Sequence, residues 1–298
     1  MKKISEKFRG IIIPIVTPLT KAERLDEDAF KRLLERAVSS GVHGIFICGS
    51  MGEYPALVDE EKLNVIEKAC HFVDGKTVLM ANISDSSEKR VIQNIKRIEK
   101  LPIDCYVATC PFYFIYSQKE LEVFFHNIAD YCNKPILLYD IPDFVNQKLT
   151  PELVYSLINH PNILGIKDSS GNFSDLNQLL LRRNSNSLIY QGSTEMSYTS
   201  LVLGCDGLIP GLANLLPKTF VQLYQLVQNK EFLEAKRLQL LINKINQKIV
   251  QINWMSATKY ALSILDLCSP FVTAPFQELN KDQKSAVQKI LSENKIDN

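Results

Sequence analysis

The residue with the clearest potential for chemistry is Lys167, which follows the apolar run at residues 163–166. Side chains alternate between the two faces of a strand, so Lys167 shares a face with Gly165. If that face is buried, we expect Gly165 to leave space beside the lysine and burial to lower the pKa of its ammonium group. A neutral amine attacks a ketone carbonyl, and the pattern therefore indicates a Schiff-base lysine. An exposed lysine paired with a carboxylate at a strand end fits the same pattern.

A second candidate is Tyr139, which lies near the end of the preceding apolar run. Alternation places Leu137 and Tyr139 on one face of a strand and Asp140 on the other. If the two strands are neighbours, the Tyr139 hydroxyl lies near Lys167. A phenol in that position could relay protons while a carbinolamine and an imine form. A tyrosine that only packs its ring and hydrogen-bonds a carbonyl is the alternative.

A third feature is the turn at residues 48–53, in which Gly49 and Gly52 bracket the hydroxyl residue Ser50. Glycine permits backbone conformations in which successive N–H groups point to one place. Such a concave group of donors suits a carboxylate. The turn is therefore a candidate carboxylate-binding site, although turns of this composition also occur without a ligand.

These residues follow short apolar runs that recur along the chain, with segments of helical periodicity between them. The runs cover residues 10–17, 44–50, 77–83, 104–110, 135–141, 163–168, 188–192 and 207–210. Fully apolar strands that alternate with helices indicate a parallel sheet covered on both faces. Eight such units favour a (β/α)8 barrel, an α/β fold whose active-site residues lie at the C-terminal ends of the strands.

The intervening segments carry helix-start signals. Asp26, Ser117 and Thr150 stand where N-cap residues are expected, Ser117 within a capping box and Thr150 before a first-turn proline. After the eighth run the pattern is helical only. We therefore expect a barrel domain over residues 1–222 and a helical extension over residues 223–298 that packs on the barrel.

The composition narrows the classes of function. The chain has 298 residues and a formal net charge of +1, with its basic residues dispersed, so we expect no nucleic-acid partner and no membrane association. No early apolar run is long enough for a signal peptide or a membrane span, which predicts a cytoplasmic protein. Seven cysteines argue against a disulfide framework, and four scattered histidines show no metal-ligand spacing.

Four motifs in this order resemble the dihydrodipicolinate synthase / N-acetylneuraminate lyase superfamily of Schiff-base, pyruvate-dependent aldolases. They lie at residues 49–53, 111–113, 139–142 and 165–168. The resemblance extends from about residue 10 to residue 217, and the helical tail is similar to the C-terminal extension of that superfamily. It implies a lyase that acts on pyruvate and an aldehyde without a metal or organic cofactor. It also implies a homotetramer built as a dimer of dimers.

The resemblance assigns roles to individual positions. Lys167 matches the Schiff-base lysine and Tyr139 the tyrosine that relays protons. Ser50 matches the hydroxyl residue that links this tyrosine to a second one. Tyr113 matches that second tyrosine, which in the superfamily reaches into the site of a neighbouring subunit.

The resemblance also implies a set of substrate-binding positions. Ser50 and Met51 form the turn that would hold the carboxylate of the 2-keto acid. Gly192 and Ile209 stand where the superfamily lines the pocket with backbone groups. None of these positions implies a metal.

Some positions depart from the superfamily pattern. Phe144 replaces the arginine with which dihydrodipicolinate synthases hold a second carboxylate, and a phenyl ring cannot supply that charge pairing. Met51 replaces a second hydroxyl residue and Asp140 a frequent asparagine. These departures favour an enzyme similar to 2-keto-3-deoxygluconate aldolases, which cleaves a 2-keto-3-deoxy sugar acid to pyruvate and an aldehyde. Dihydrodipicolinate synthase and N-acetylneuraminate lyase activities are the alternatives, the latter because Gly192 and Glu195 keep part of its pattern.

Two other hypotheses assign this barrel a different function. A metal-dependent pyruvate aldolase would use Glu53, Asp140 and Asp168 as ligands, but it would leave Lys167 without a role. A pyruvate-binding sensor that performs no reaction is suggested only by Met51. A covalent adduct trapped by borohydride distinguishes the Schiff-base enzyme from both.

Overall fold

Eight parallel strands close into a barrel in the computed structural model, which describes residues 6–296. The strands are β1 Gly10–Pro14, β2 Gly44–Ile47, β3 Val78–Asn82, β4 Cys105–Thr109, β5 Ile136–Asp140, β6 Ile163–Asp168, β7 Leu188–Gln191 and β8 Gly207–Leu208. They pair in sequence order, and β8 pairs with β1 to close the ring. The (β/α)8 barrel predicted from the sequence is confirmed.

Helices surround the barrel and continue beyond it. They are α1 Glu27–Ser39, α2 Asp59–Val73, α3 Glu88–Ile98, α4 Gln118–Tyr131, α5 Pro142–Val145, α6 Pro151–Leu157, α7 Phe173–Arg182, α8 Ser197–Val202, α9 Pro217–Gln228, α10 Phe232–Ile264 and α11 Lys281–Glu293. Every strand residue is buried, as expected for a parallel sheet with one face on the barrel interior and the other under helices. No helix within residues 6–296 is long and apolar enough to cross a membrane.

The predicted helix starts have the expected capping contacts. The Asp26 side chain accepts from the N–H of Ala29, and Thr150 accepts from the N–H of Leu153. Ser117 forms the predicted capping box at the start of α4. Local sequence therefore determines where these helices begin.

Several strands are shorter than the apolar runs that predicted them. The first run continues to residue 17, but β1 ends at Pro14. Ile15 and Val16 remain buried, and the Val16 N–H donates to the Asn214 side chain instead of to a neighbouring strand. Burial continues past the hydrogen-bonded ladder here, so apolar residues alone overestimate the length of the strand.

Strand β6 contains an irregularity that the alternation rule does not anticipate. Ile163 pairs with Ile136, but the next β5 residue, Leu137, pairs with Gly165. Gly165 has φ of +148°, and a Cβ added to it would lie 1.9 Å from the Leu188 carbonyl oxygen. The expectation that Gly165 leaves space for Lys167 is therefore wrong. The glycine is required because the β7 backbone approaches it closely.

Beyond β8 the described chain is helical, with α10 broken at Asn253. The Asn253 side chain accepts from the N–H groups of Met255 and Ser256, so it caps the second half of α10. The division into a barrel over residues 1–222 and an extension over residues 223–298 stays a prediction. Its outer ends, residues 1–5 and 297–298, lie outside the described residues.

Candidate active site

Lys167 lies near the C-terminal end of β6 with only 4% of its surface exposed. Its Cα is paired with that of Tyr139 on β5, so the two side chains share a face of the barrel. The amine lies 3.8 Å from the centre of the Tyr139 ring and 5.2 Å from that of Phe46. Burial lowers the pKa of Lys167, and the neighbouring Tyr139 offsets part of that shift. The lysine is therefore a buried amine with a reduced affinity for protons.

Tyr139 joins this amine to the turn at residues 48–53. Its hydroxyl lies 3.5 Å from the Ser50 Oγ, a long separation for a hydrogen bond between hydroxyl groups. Its ring also meets the Phe46 ring edge to face, with the centres 6.2 Å apart. Tyr139 thus lies close to both the Lys167 amine and the Ser50 hydroxyl, although the three residues belong to different segments of the chain.

The turn at residues 48–53 is held by internal hydrogen bonds. The N–H groups of Gly52 and Glu53 donate to the carbonyls of Gly49 and Ser50, at 3.0 Å each. Nothing within residues 6–296 accepts from the N–H groups of Ser50 and Met51. These two adjacent donors are therefore free to bind an anion.

A cavity of about 240 Å³ opens above Tyr139. Its lining includes Ser50, Asn82, Thr109, Tyr113, Tyr139 and Phe144. Tyr113 stands at its rim with 87% of its surface exposed and has no hydrogen bond to Ser50 in the described chain. The structure therefore brings Ser50, Tyr139 and Lys167 together but leaves Tyr113 apart from them.

Gly192 and Ile209 lie at the ends of β7 and β8. A Cβ added to Gly192 would lie 3.0 Å from the Lys167 Cε and 1.9 Å from the Ser169 Oγ, so a larger residue here would force the Ser169 side chain to move and would crowd the lysine. The N–H of Gly192 donates to the Asp168 carbonyl, and the N–H of Ile209 donates to Gln191. With both N–H groups engaged, these residues can offer a ligand only their carbonyl oxygens.

The three acidic residues of the metal-dependent hypothesis have separate partners. Glu53 forms a buried ion pair with Lys259, and Asp140 accepts from the N–H of Leu149. Asp168 accepts from the N–H of Ser170. In the described part of the chain, no group of three or more acidic, histidine or cysteine side chains is arranged to hold a metal ion.

Two aromatic residues at or beside the candidate site were not identified from the sequence. Phe46 lies beside the Lys167 amine, but nothing distinguishes it from the other apolar residues of its strand. Trp254 stacks on Phe144 with ring centres 5.7 Å apart, and Phe276 meets Trp254 edge to face at 5.9 Å. Trp254 is the single tryptophan of the chain, which was a signal, but its distance from Phe144 in sequence concealed the contact.

A buried amine beside a phenol, at the C-terminal end of barrel strands, is the arrangement of a Schiff-base lyase. The model of the Dihydrodipicolinate synthetase family matches residues 7–294. The chain belongs to this family, and it is an enzyme of the class I, carbon–carbon lyase type that the family comprises.

Individual relatives carry names of two activities. A 4-hydroxy-tetrahydrodipicolinate synthase of Methanosphaerula palustris is 30% identical over 288 residues, which cover 96% of this chain and 99% of the relative. An N-acetylneuraminate lyase of Rhizobium meliloti is 26% identical over 288 residues, and the match covers 96% of this chain and 95% of the lyase.

One solved structure with the same fold is a complex with pyruvate. It is YagE of Escherichia coli K12, a prophage protein of the dihydrodipicolinic acid synthase family in complex with pyruvate. It is 26% identical with a TM-score of 0.93, and the match covers 97% of this chain and 99% of YagE.

Proposed function

We propose that this enzyme reversibly cleaves a 2-keto-3-deoxy sugar acid to pyruvate and an aldehyde, with Lys167 as the Schiff-base residue. The observation that carries the proposal is the Lys167 amine, which is buried against the Tyr139 ring and has a lowered pKa. A neutral amine can attack the C2 carbonyl, and loss of water then gives an iminium ion. Cleavage of the C3–C4 bond sends its electron pair toward the iminium nitrogen. Proton transfer to C3 and hydrolysis then release pyruvate.

Tyr139 is the proposed proton relay for these steps. It accepts the proton of the C4 hydroxyl as the aldehyde forms and returns a proton to C3. Its hydroxyl approaches Ser50, which would pass protons onward to Tyr113 of a second copy of the chain. The exposure of Tyr113 at the cavity rim supports that role, because such a side chain is available to a neighbouring subunit.

The substrate carboxylate would bind at the turn of residues 48–53. The free N–H groups of Ser50 and Met51 supply two donors, and the Ser50 hydroxyl supplies a third. The carbonyls of Gly192 and Ile209 would contact the substrate from the ends of β7 and β8. Amine, phenol, hydroxyl and backbone groups together provide every proton and charge that the proposed reaction needs, without a metal or organic cofactor.

The cavity favours an aldehyde that carries hydroxyl groups over one that carries a carboxylate. None of its lining residues is basic, and Asn82, Ser84 and Thr109 make part of the lining polar. Phe144 adds an apolar ring to the lining and stacks on Trp254. A carboxylate in this cavity would lose water without gaining a cationic partner, which costs free energy.

Dihydrodipicolinate synthesis is the competing function, and the names of relatives favour it. The two functions are separated by measuring kcat/KM for condensation of pyruvate with aspartate semialdehyde and with glyceraldehyde. We expect glyceraldehyde to be preferred, since an absent charge partner costs on the order of 2–5 kcal/mol. A preference for the semialdehyde would reject the proposed substrate class. Pyruvate release from N-acetylneuraminate in the same assay tests the lyase alternative.

A further inference from the structure

Two non-glycine residues with left-handed backbone bound the turn at residues 48–53. Cys48 has φ of 54° and Glu53 has φ of 56°. Residues with a side chain rarely adopt this conformation, which persists only where surrounding contacts impose it. Ser50 and Met51 lie between these two residues. The positions of their free N–H groups therefore depend on the contacts that hold the ends of the turn.

The carboxylate of Glu53 supplies such contacts at one end. Its Oε2 accepts from the Thr273 N–H at 2.7 Å and from the Thr273 hydroxyl at 2.8 Å. Its Oε1 forms an ion pair with Lys259, which also donates to the Phe271 carbonyl at 2.8 Å. Lys259 lies on the second half of α10, and the other partners follow that helix. The helical extension thus contacts the turn through the Glu53 side chain.

This ion pair is unusual in its burial. Among the ion pairs formed within residues 6–296, only Glu53 and Lys259 have both side chains fully shielded from solvent. Removing two charges from water has a cost that their attraction often only balances, so an apolar pair of similar shape would stabilise the fold equally well. The directed contacts of the carboxylate provide what an apolar pair cannot, namely a fixed position for the end of the turn.

We propose that Glu53 and Lys259 are positioning residues whose buried pair holds the Ser50 and Met51 N–H groups in the geometry that binds the carboxylate of a 2-keto acid. The inference rests on the proposed function, in which these N–H groups receive the carboxylate of pyruvate. The pair touches no reacting atom. It therefore acts on the affinity for the keto acid and not on the chemical step.

Glu53→Gln tests the proposal, because the amide keeps the size of the side chain and an acceptor for Thr273 but loses the charge that attracts Lys259. Adduct formation on Lys167 is titrated with pyruvate and trapped with borohydride, and kcat and KM are measured for cleavage of the sugar acid. We expect half-saturating pyruvate and KM to rise about tenfold, with kcat at saturation little changed.

Asp206→Asn is the matched control. Asp206 precedes β8 at the opposite end of the barrel, is fully buried, and pairs with Arg9 and Arg183. Its loss should lower Tm without altering half-saturating pyruvate. Thr273→Val removes only the hydroxyl that donates to Glu53, so it is a milder change that serves if Glu53→Gln does not fold. It should also raise the concentration of pyruvate at half saturation.

The outcomes separate this inference from the function on which it rests. If the wild-type protein is labelled at Lys167 and the variants at Glu53 and Thr273 bind pyruvate unchanged, the positioning role is wrong. An equal rise in Asp206→Asn would also overturn it, because any loss of stability would then have the same effect. A wild-type protein that is not labelled at Lys167 rejects the proposed function, and the positioning role with it.

Discussion

Among single residues, Lys167 is subject to two effects that shift its pKa in opposite directions. The faces of the Tyr139 and Phe46 rings attract a cation and favour the ammonium form, by about 0.5–2 kcal/mol for such contacts. Burial favours the neutral amine, and each unit of pKa corresponds to about 1.4 kcal/mol. Burial lowers the pKa of Lys167, and the Tyr139 side chain offsets part of that shift. The neutral amine that the proposed Schiff-base reaction requires therefore forms more easily here than on an exposed lysine.

Tyr139→Phe tests the proposed proton relay. The variant keeps the ring that covers Lys167 and removes only the hydroxyl near Ser50. We expect kcat to fall by about two orders of magnitude, the usual scale for losing a positioned proton-transfer group, and KM to change less. Steady-state kinetics of pyruvate release measure both quantities.

Tyr106→Phe provides the matched control for this substitution. Tyr106 is fully buried on β4, and its hydroxyl has no hydrogen-bond partner within residues 6–296. Removing that hydroxyl should leave kcat unchanged. A kcat for Tyr139→Phe close to that of Tyr106→Phe, in an assay limited by chemistry, would remove Tyr139 from the mechanism.

At the scale of elements, β5 and β6 bring Tyr139 and Lys167 together by register. The sequence predicted that Tyr139 lies near Lys167 if the two strands are neighbours, and the pairing of their Cα atoms confirms this proximity. The irregularity before Gly165 could not be predicted, because it depends on how closely the β7 backbone approaches at Leu188. The local pattern specifies a strand and its faces, whereas a bulge results from contact with a neighbour distant in sequence.

The same two strands carry a pair of buried carboxyl groups, Asp140 and Asp168, on paired positions. The pKa of Asp140 is raised to about 7, chiefly by burial and also by the charge of Asp168, while the hydrogen bond from the Leu149 N–H opposes the shift. The unfolded chain ionises near the ordinary value of 3.8. Between these values the unfolded state releases a proton that the folded state retains, so this group lowers stability as pH rises from about 4 to about 7.

Asp140→Asn should therefore stabilise the protein in a pH-dependent way. The amide keeps an acceptor for Leu149 and cannot ionise, so we expect a free energy of unfolding above that of wild type at about pH 8, by a few kcal/mol at most. The difference should shrink toward zero at about pH 4. Urea denaturation at each pH measures it, with the exposed Asp143→Asn as control. A difference that does not vary with pH would contradict the assignment.

At the scale of the whole molecule, the order of strands and helices could be predicted because apolar periodicity and capping residues are local signals. The contact between the helical extension and the turn at residues 48–53 could not be predicted in this way. Glu53 and Lys259 are separated by most of the barrel in sequence, and neither lies in a pattern that identifies the other as its partner. Contacts of this kind depend on how complete elements pack.

The protein is also predicted to assemble as a homotetramer. Tyr113, Phe114 and Ile115 are 87%, 63% and 71% exposed on one loop, and contact with a second copy would bury them. We expect a native mass of four times 33.8 kDa, measured by native mass spectrometry. Ile115→Glu should reduce that mass, because a charge in such an interface loses its hydration. A wild-type protein that remains monomeric at micromolar concentration would contradict the tetramer.

Borohydride trapping with pyruvate reports on the proposed Schiff base between Lys167 and the keto acid, because reduction makes the adduct permanent. Lys259 serves as an internal control, because it is also fully buried with a lowered pKa but is ion-paired with Glu53. We expect intact mass to show one reduced pyruvate per chain, peptide mapping to place it on Lys167, and Lys167→Ala to fold, remain unlabelled and lack turnover. A label on Lys259 or another lysine, or none at saturating pyruvate, would show that Lys167 is not the Schiff-base residue.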